Sequence, residues 1–342
     1  MTPTSLEPFF TRYLPPLEAE MRTVVQSTDP RQGALFGMLH YHLGWADAAF
    51  NPCHTETGKR IRPVLCLLSC EACGGDWQQA LPAAAAVELL HNFSLIHDDI
   101  EDGDRTRRGR PTVWALWGEA QAINAGDALF SLAQLALLRL FGRGVPAATV
   151  VTAQTLFNET CVALTGGQHL DIGFESHEAV PVADYLAMIE GKTAALVACA
   201  CELGALVAAA PKDRRASLRA FGRHLGLAFQ MRDDILGVWG DPAVTGKPAG
   251  ADIARRKKSL PILHGLAQSE ALRALFARRE LSEADVREAT ALLDEAGSRA
   301  FAEGLAEEHH SRALDALAEA GLQGPAAQAL HDLAQSLLSR EK

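Results

Sequence analysis

The segment Ser94-Leu95-Ile96-His97-Asp98-Asp99-Ile100-Glu101-Asp102 puts four carboxylates within five positions, at the end of an apolar run that begins at Leu81. Like charges this close repel, and a helix would set Asp98 and Asp102 at i and i+4 on one face. Such a face calls for a cation. Hard divalent ions such as Mg²⁺ take carboxylate oxygens, keep waters, and stay open to phosphates, so the pair suits a metal site that bridges a diphosphate. A merely solvated helix end would show polar residues earlier along the run. The basic turn Arg105-Thr106-Arg107-Arg108-Gly109-Arg110 follows directly and offers bidentate contacts to phosphate oxygens.

The arrangement recurs. Asp233-Asp234 closes a second apolar run, Leu225 to Arg232, 135 residues after the first. A basic, Gly-rich stretch again comes next: Gly246-Lys247-Pro248-Ala249-Gly250, then Arg255-Arg256-Lys257-Lys258. Facing helices would bring both acidic ends to the mouth of one cavity. A third basic group, Gly58-Lys59-Arg60-Ile61-Arg62-Pro63, starts an apolar helix, whose terminal amides add to anion binding.

The elements that must carry these residues read as helices. Hydrophobic residues make up 48% of the 342, aromatics only 6%, and Ala, Leu and Glu recur throughout, so an all-α chain with a large core is expected. Breaks fall at Asn51-Pro52, Gly74-Gly75, Gly142 to Pro146, Ala210-Pro211 and Gly240 to Gly250. The long segments between them suit a bundle of long helices around a deep apolar cavity. No polar linker divides the chain, so one domain over residues 1–342 is expected, with outer helices before about residue 50 and closing helices after Leu266. The net charge of −10 disfavours nucleic acid as a partner. The start lacks a secretory pattern, and the apolar stretch Thr193 to Ala210 carries Glu202, so it reads as a buried core helix; no transmembrane segment is predicted and a cytoplasmic location is expected. Seven cysteines fit free thiols. Cys66, Cys70 and Cys73 have a spacing known from iron–sulfur ligands, but they fall in a helix interior and read as small core residues.

Taken together, GKRIRP, ELLHNFSLIHDDIEDGDRTRRGRPT, GGQHLD, EGKTAAL, FQMRDD, GDPAVTGKPAG and KKSLP, in that order from Gly58 to Pro261, resemble the polyprenyl synthetase family of trans-isoprenyl diphosphate synthases. The resemblance implies a single domain of the isoprenoid synthase type I fold, its motifs within about residues 55–265. It implies head-to-tail condensation of isopentenyl diphosphate with an allylic prenyl diphosphate, dependent on three Mg²⁺ ions, in a homodimer. By the same resemblance Lys59, Arg62, His91 and Arg108 bind isopentenyl diphosphate, and Arg107 holds the allylic diphosphate. Asp98 and Asp102 ligate two ions and Asp233 the third. Lys192, Thr193, Gln230, Lys247 and Lys257 contact the allylic substrate and its leaving group, while Asp99, Gln168, Asp171 and Asp234 support the site. Asp98, Asp102, Asp233, Lys192 and Lys247 are thus the expected catalytic set.

One position departs from the family pattern. The second motif reads Asp233-Asp234-Ile235-Leu236-Gly237, without its last carboxylate, and Asp241 lies beyond Gly240. The expectation is a weakly held third ion that Gly237→Asp would tighten. Terpene cyclases of the same fold tolerate such a motif, but the isopentenyl-binding set argues against a cyclase, and the retained aspartates argue against a non-catalytic partner subunit. Product length should depend on Phe93, Ser94 and Leu90, which climb the helix before Asp98; by resemblance an aromatic at 93 beside a small residue goes with a C20 product, geranylgeranyl diphosphate. Farnesyl or longer products are the alternatives.

Overall fold

A computed structural model describes residues 5–55, 58–177, 179–241 and 250–338. Its helices are α1 (Glu7–Val24), α2 (Gly33–His42), α3 (Ile61–Ala72), α4 (Leu81–Glu101), α5 (Val113–Trp117), α6 (Glu119–Leu138), α7 (Ala147–Glu175), α8 (Val182–Ile189), α9 (Ala195–Val207) and α10 (Lys212–Trp239). They continue as α11 (Ala251–Ala254), α12 (Leu260–Gln268), α13 (Glu270–Phe276), α14 (Glu283–Glu295), α15 (Ser298–Glu319) and α16 (Pro325–Leu338). The helical fold expected from composition is the fold observed. The described strands are one hairpin, β1 (Thr106–Arg107) and β2 (Arg110–Pro111).

Proline sets several helix starts. Pro82 lies in the first turn of α4, and Pro146 and Pro211 immediately precede α7 and α10, where a fixed φ and a missing N–H cost nothing. Four of the five Gly/Pro breaks read from the sequence fall between these helices, and the fifth, Gly240 to Gly250, lies mostly outside the described residues; the gap after Glu175 carries only Pro181 and was not legible. In the bundle α4 packs along α6, α3 along α9, and α10 along α9 and α15. Ala83 to Ala86 of α4 are fully buried, their small side chains allowing close helix approach around a core of Leu, Val and Cys.

Cys66 and Cys70 are buried in α3, with Cys73 just after it, and all seven cysteines are free thiols. Burial pushes the Cys70 thiol up to about 12 and Cys66 well above its ordinary value, so both stay protonated and inert. α9 is buried as expected. By length and composition alone the stretch Glu119–Arg143 could cross a membrane, at a mean hydropathy of 1.2; its outer face includes exposed Ile123, Leu135 and Leu138.

The continuous helix expected from Thr193 starts instead as a π-turn, Glu190–Ala194, that leads into α9. The extra residue in such a turn redirects side chains. Close packing fixes it: a Cβ at Gly167 of α7 would lie 2.8 Å from Lys192 Cα, and one at Gly191 would lie 2.6 Å from the Ala163 carbonyl oxygen. These glycines explain the GGQHLD and EGKTAAL segments as a helix contact. Gly167→Ala should therefore destabilise the fold by about 1–3 kcal/mol through overpacking, read as a lower midpoint in thermal denaturation; an unchanged midpoint would contradict this role.

Candidate active site

The first acidic wall is the end of α4. Helical spacing persists through Asp102, whose N–H donates to the Asp98 carbonyl oxygen at 2.8 Å, so Asp98 and Asp102 share a face. Both line a cavity of about 600 Å³. The chain then reverses in the β1–β2 hairpin, with Arg108 (φ 52°) and Gly109 (φ 72°) in left-handed conformation, the geometry of a tight two-residue turn. Arg107 thereby turns back onto α4 and donates from Nε to Asp99 Oδ1 at 2.7 Å. Arg110 points the other way. It donates to the carbonyl oxygens of Tyr41 and Ala46 and to Thr55, and lies 4.0 Å above the Tyr41 ring. The phosphate role suggested for the whole basic turn therefore does not extend to Arg110, which clamps the hairpin to the α2–α3 connection.

The second wall is the end of α10, with Asp233 and Asp234 on the same cavity. Asp234 is the hub of a buried network: Tyr185 donates to its Oδ2 at 2.5 Å, Leu260 N–H to the same oxygen at 3.0 Å, and Gln230 to Oδ1 at 3.0 Å. Thr193 donates to Gln230 Oε1 at 2.9 Å, which ties the π-turn to α10. Lys192 leaves that turn to pair with Asp171 of α7 at 2.5 Å, and Gln168 donates to Glu101 at 2.6 Å. The α4 end is thus fastened to α7 directly and the α10 end through the π-turn.

Charge in this cavity is strained. Burial, reinforced by the neighbouring Asp102 and Glu101 carboxylates and opposed by Lys192, lifts Asp98 to about 6; burial likewise lifts Asp99 to about 6 against the pull of Arg107. Burial acts to lower Lys192 and Lys257, yet the surrounding aspartates outweigh it and raise both, so they remain charged. On the opposite side Arg62 donates to His91 Nε2 at 3.3 Å. Burial and then the positive field of Arg62, Arg108 and Arg107 push His91 well below its ordinary value, leaving a neutral ring. Arg62 Nε and Gln168 Oε1, both on cavity-lining residues, are buried without a hydrogen-bond partner among the described residues. Polar atoms left so are partners for a polar ligand.

Among the described residues no three His, Cys, Asp or Glu side chains form a ready-made metal cage. Mg²⁺ does not require one, because it is held through one or two carboxylates plus substrate phosphates and waters. The donor set of Asp98 and Asp102 on one wall and Asp233 on the other, all oxygen, fits that mode.

Of the residues singled out in the sequence, Arg62, His91, Ser94, Asp98, Asp102, Arg107, Gln168, Asp171, Lys192, Thr193, Gln230, Asp233, Asp234 and Lys257 line this one cavity. Asp99 and Arg108 line a smaller recess beside it, with His42. Lys59 is exposed outside the lining, and Lys247 lies outside the described residues. Leu90 is fully buried in the helix core, and the Phe93 ring packs 5.2 Å from Phe130 and 4.8 Å from His97, on the side of α4 that meets α6. Of the three positions expected to govern product length, only Ser94 lines this cavity. Sequence reasoning missed Tyr185 and Asp252; a tyrosine in an apolar helix gives little signal, and Asp252 lacks a neighbouring carboxylate in sequence. Arg60, read only as part of a basic cluster, is buried and pairs with Glu88 of α4 at 2.6 Å, holding the GKRIRP turn on the helix.

The geometry has close parallels. Residues 44–293 match the polyprenyl synthetase family. The chain is 41% identical over 327 residues to a (2E,6E)-farnesyl diphosphate synthase of Mycobacterium tuberculosis, covering 93% of this chain and 90% of that one. It is 47% identical over 288 residues to a geranylgeranyl diphosphate synthase of the same organism, covering 83% and 81%. Among solved structures, a polyprenyl synthetase from Streptomyces coelicolor superposes with a TM-score of 0.88 at 38% identity, over 99% of this chain and all of that one. With two carboxylate walls meeting at one cavity and a family match across most of the chain, the protein belongs to the polyprenyl synthetase family and is a prenyltransferase.

Proposed function

We propose that the chain condenses isopentenyl diphosphate head to tail with an allylic diphosphate and releases a short trans-prenyl diphosphate, with geranylgeranyl diphosphate as the main product. The observation that carries this reading is the meeting of Asp98, Asp102 and Asp233 with Arg62, His91, Lys192 and Lys257 around one cavity. Mg²⁺, three ions by family resemblance, would be held by Asp98 and Asp102 on one side and Asp233 on the other, and supplies stabilisation of charge on the departing diphosphate. Lys192 and Lys257 add fixed positive charge beside that leaving group. Leu95, Leu164, Met188, Ile189 and Leu196 line the cavity and exclude the water that would quench an allylic cation. Arg62 and His91 hold the second diphosphate so that its double bond faces that cation. The allylic C–O bond breaks, a C–C bond forms, and a proton leaves to restore an allylic diphosphate; the released pyrophosphate accepts it. No Ser/His/Asp triad takes part in this chemistry.

Resemblance and surface chemistry together support a homodimer: Ile123, Leu135, Leu138, Phe141, Val151 and Val162 expose apolar side chains around α6 and the first half of α7. We propose further that the chain works as one domain in the cytoplasm. Incubation with labelled isopentenyl diphosphate and each allylic primer, with and without Mg²⁺, tests the reaction. Product only with Mg²⁺ and a primer is expected, whereas hydrocarbon from a prenyl diphosphate alone would favour a cyclase.

Asp98 is raised in the folded state from an ordinary 3.8 to about 6, so its stabilising contribution is complete below that ordinary value and lost as pH rises through 6. Asp98→Asn should consequently cut turnover by about a thousandfold or more, while raising the metal-free denaturation midpoint at pH 7.5 and losing that advantage near pH 4. Near-native turnover, or a lower midpoint at pH 7.5, would contradict the charge conflict at this position.

Product length is the third expectation. By family resemblance Phe93, whose ring packs against Phe130 of α6 and which precedes the cavity-lining Ser94, limits the growing chain, so Phe93→Ala should shift products toward longer chains at retained activity, read by chromatography; an unaltered distribution would reduce Phe93 to core packing.

A further inference from the structure

On the first wall Asp98 is followed one helical turn later by Asp102. On the second wall the corresponding position after Asp233 is Gly237, inside α10. The space beside Gly237 is already filled. A Cβ built there would lie 2.5 Å from Asp252 Cγ and 2.9 Å from Asp252 Oδ1, far inside van der Waals contact. Asp252 also lines the same cavity as Asp233 and Asp234.

The position of Asp252 is built into the chain around it. Gly250, left-handed at φ 71°, donates its N–H to the Val238 carbonyl oxygen at 3.1 Å, which ties the start of α11 to the last turn of α10. Ile253 is fully buried against Val238 in the same apolar cluster. Lys257 N–H then donates to the Asp252 carbonyl oxygen at 2.9 Å, so the turn that presents Asp252 also presents the cavity lysine. Three separate contacts therefore hold the turn that carries this carboxylate beside Gly237.

We propose that Asp252 supplies, from a neighbouring element, the second carboxylate of the Asp233 wall, and that Gly237 is kept free of a side chain to admit it. This rests on the reading of that wall as a metal and diphosphate site. It reverses the expectation drawn from the sequence: Gly237→Asp does not add a missing ligand but drives two carboxylates into one space.

The test is titration of the purified chain with Mn²⁺ in the presence of inorganic pyrophosphate, with free Mn²⁺ read by electron paramagnetic resonance, so that no turnover is required. Asp252→Ala and the isosteric Asp252→Asn should each weaken Mn²⁺ binding about tenfold with an unaltered helical circular-dichroism spectrum. Gly237→Asp should bind no more tightly than wild type. The transposed variant, Gly237→Asp with Asp252→Gly, should recover to within about threefold of wild type, because the carboxylate then reaches the same place from α10. Wild-type titration by both Asp252→Ala and Asp252→Asn would overturn the proposal, as would a folded transposed variant that binds no better than Asp252→Ala. If the transposed chain does not fold, Asp252→Asn against wild type decides alone. Failure of the wider reading looks different, since the wild type itself would then bind no Mn²⁺ with pyrophosphate and make no prenyl product.

Discussion

Carboxylates gathered at the rim of an apolar cavity repel one another and resist leaving water, and most of the surrounding architecture manages that conflict. Asp98 and Asp99 are lifted to about 6 by burial, and Asp234 is raised although three donors surround it. Lys192 on Asp171, Arg107 on Asp99 and Lys257 among four aspartates offset part of the cost. On the proposed reading, a bound cation and diphosphate relieve the remainder. A site of this kind is destabilised when empty and favours the ligand that removes the conflict, which is the usual relation between function and stability at such positions.

Close helix contacts position these charges. Gly167 and Gly191 let α7 approach the π-turn, and the π-turn aims Lys192 at one wall and joins Thr193 to Gln230 at the other. The site therefore depends on backbone approach at α7 as much as on the acids themselves. The hairpin after α4 works similarly: its left-handed pair, Arg108 and Gly109, turns Arg107 back on Asp99 while Arg110 anchors it from outside.

What was legible in the sequence were features set by local pattern. The helical period, the Gly/Pro breaks and the aspartates at helical spacing announce themselves because each depends on residues near one another in the chain. Hidden were features set by contacts between distant segments. No spacing rule joins Gly237 to Asp252, or shows that Arg60 is spent on Glu88 and Arg110 on the α2–α3 connection. The π-turn was hidden too, because a single glycine, Gly191, inside a helical pattern does not announce a widened turn, and only the packing of Gly167 and Gly191 shows why the helix widens there. Phe93 shows the limit of a helical wheel: it gave the correct element but not the neighbour, which is Phe130.

On the proposed mechanism two acidic walls, distant in sequence, act on one diphosphate. Anomalous diffraction from crystals soaked with Mn²⁺ and an unreactive thio-analogue of an allylic diphosphate tests it most directly. Metal peaks are expected within coordination distance of Asp98 and Asp102 on one side and of Asp233 on the other, all sharing oxygens of a single diphosphate. Metal confined to one wall, or a diphosphate bound away from both, would contradict it.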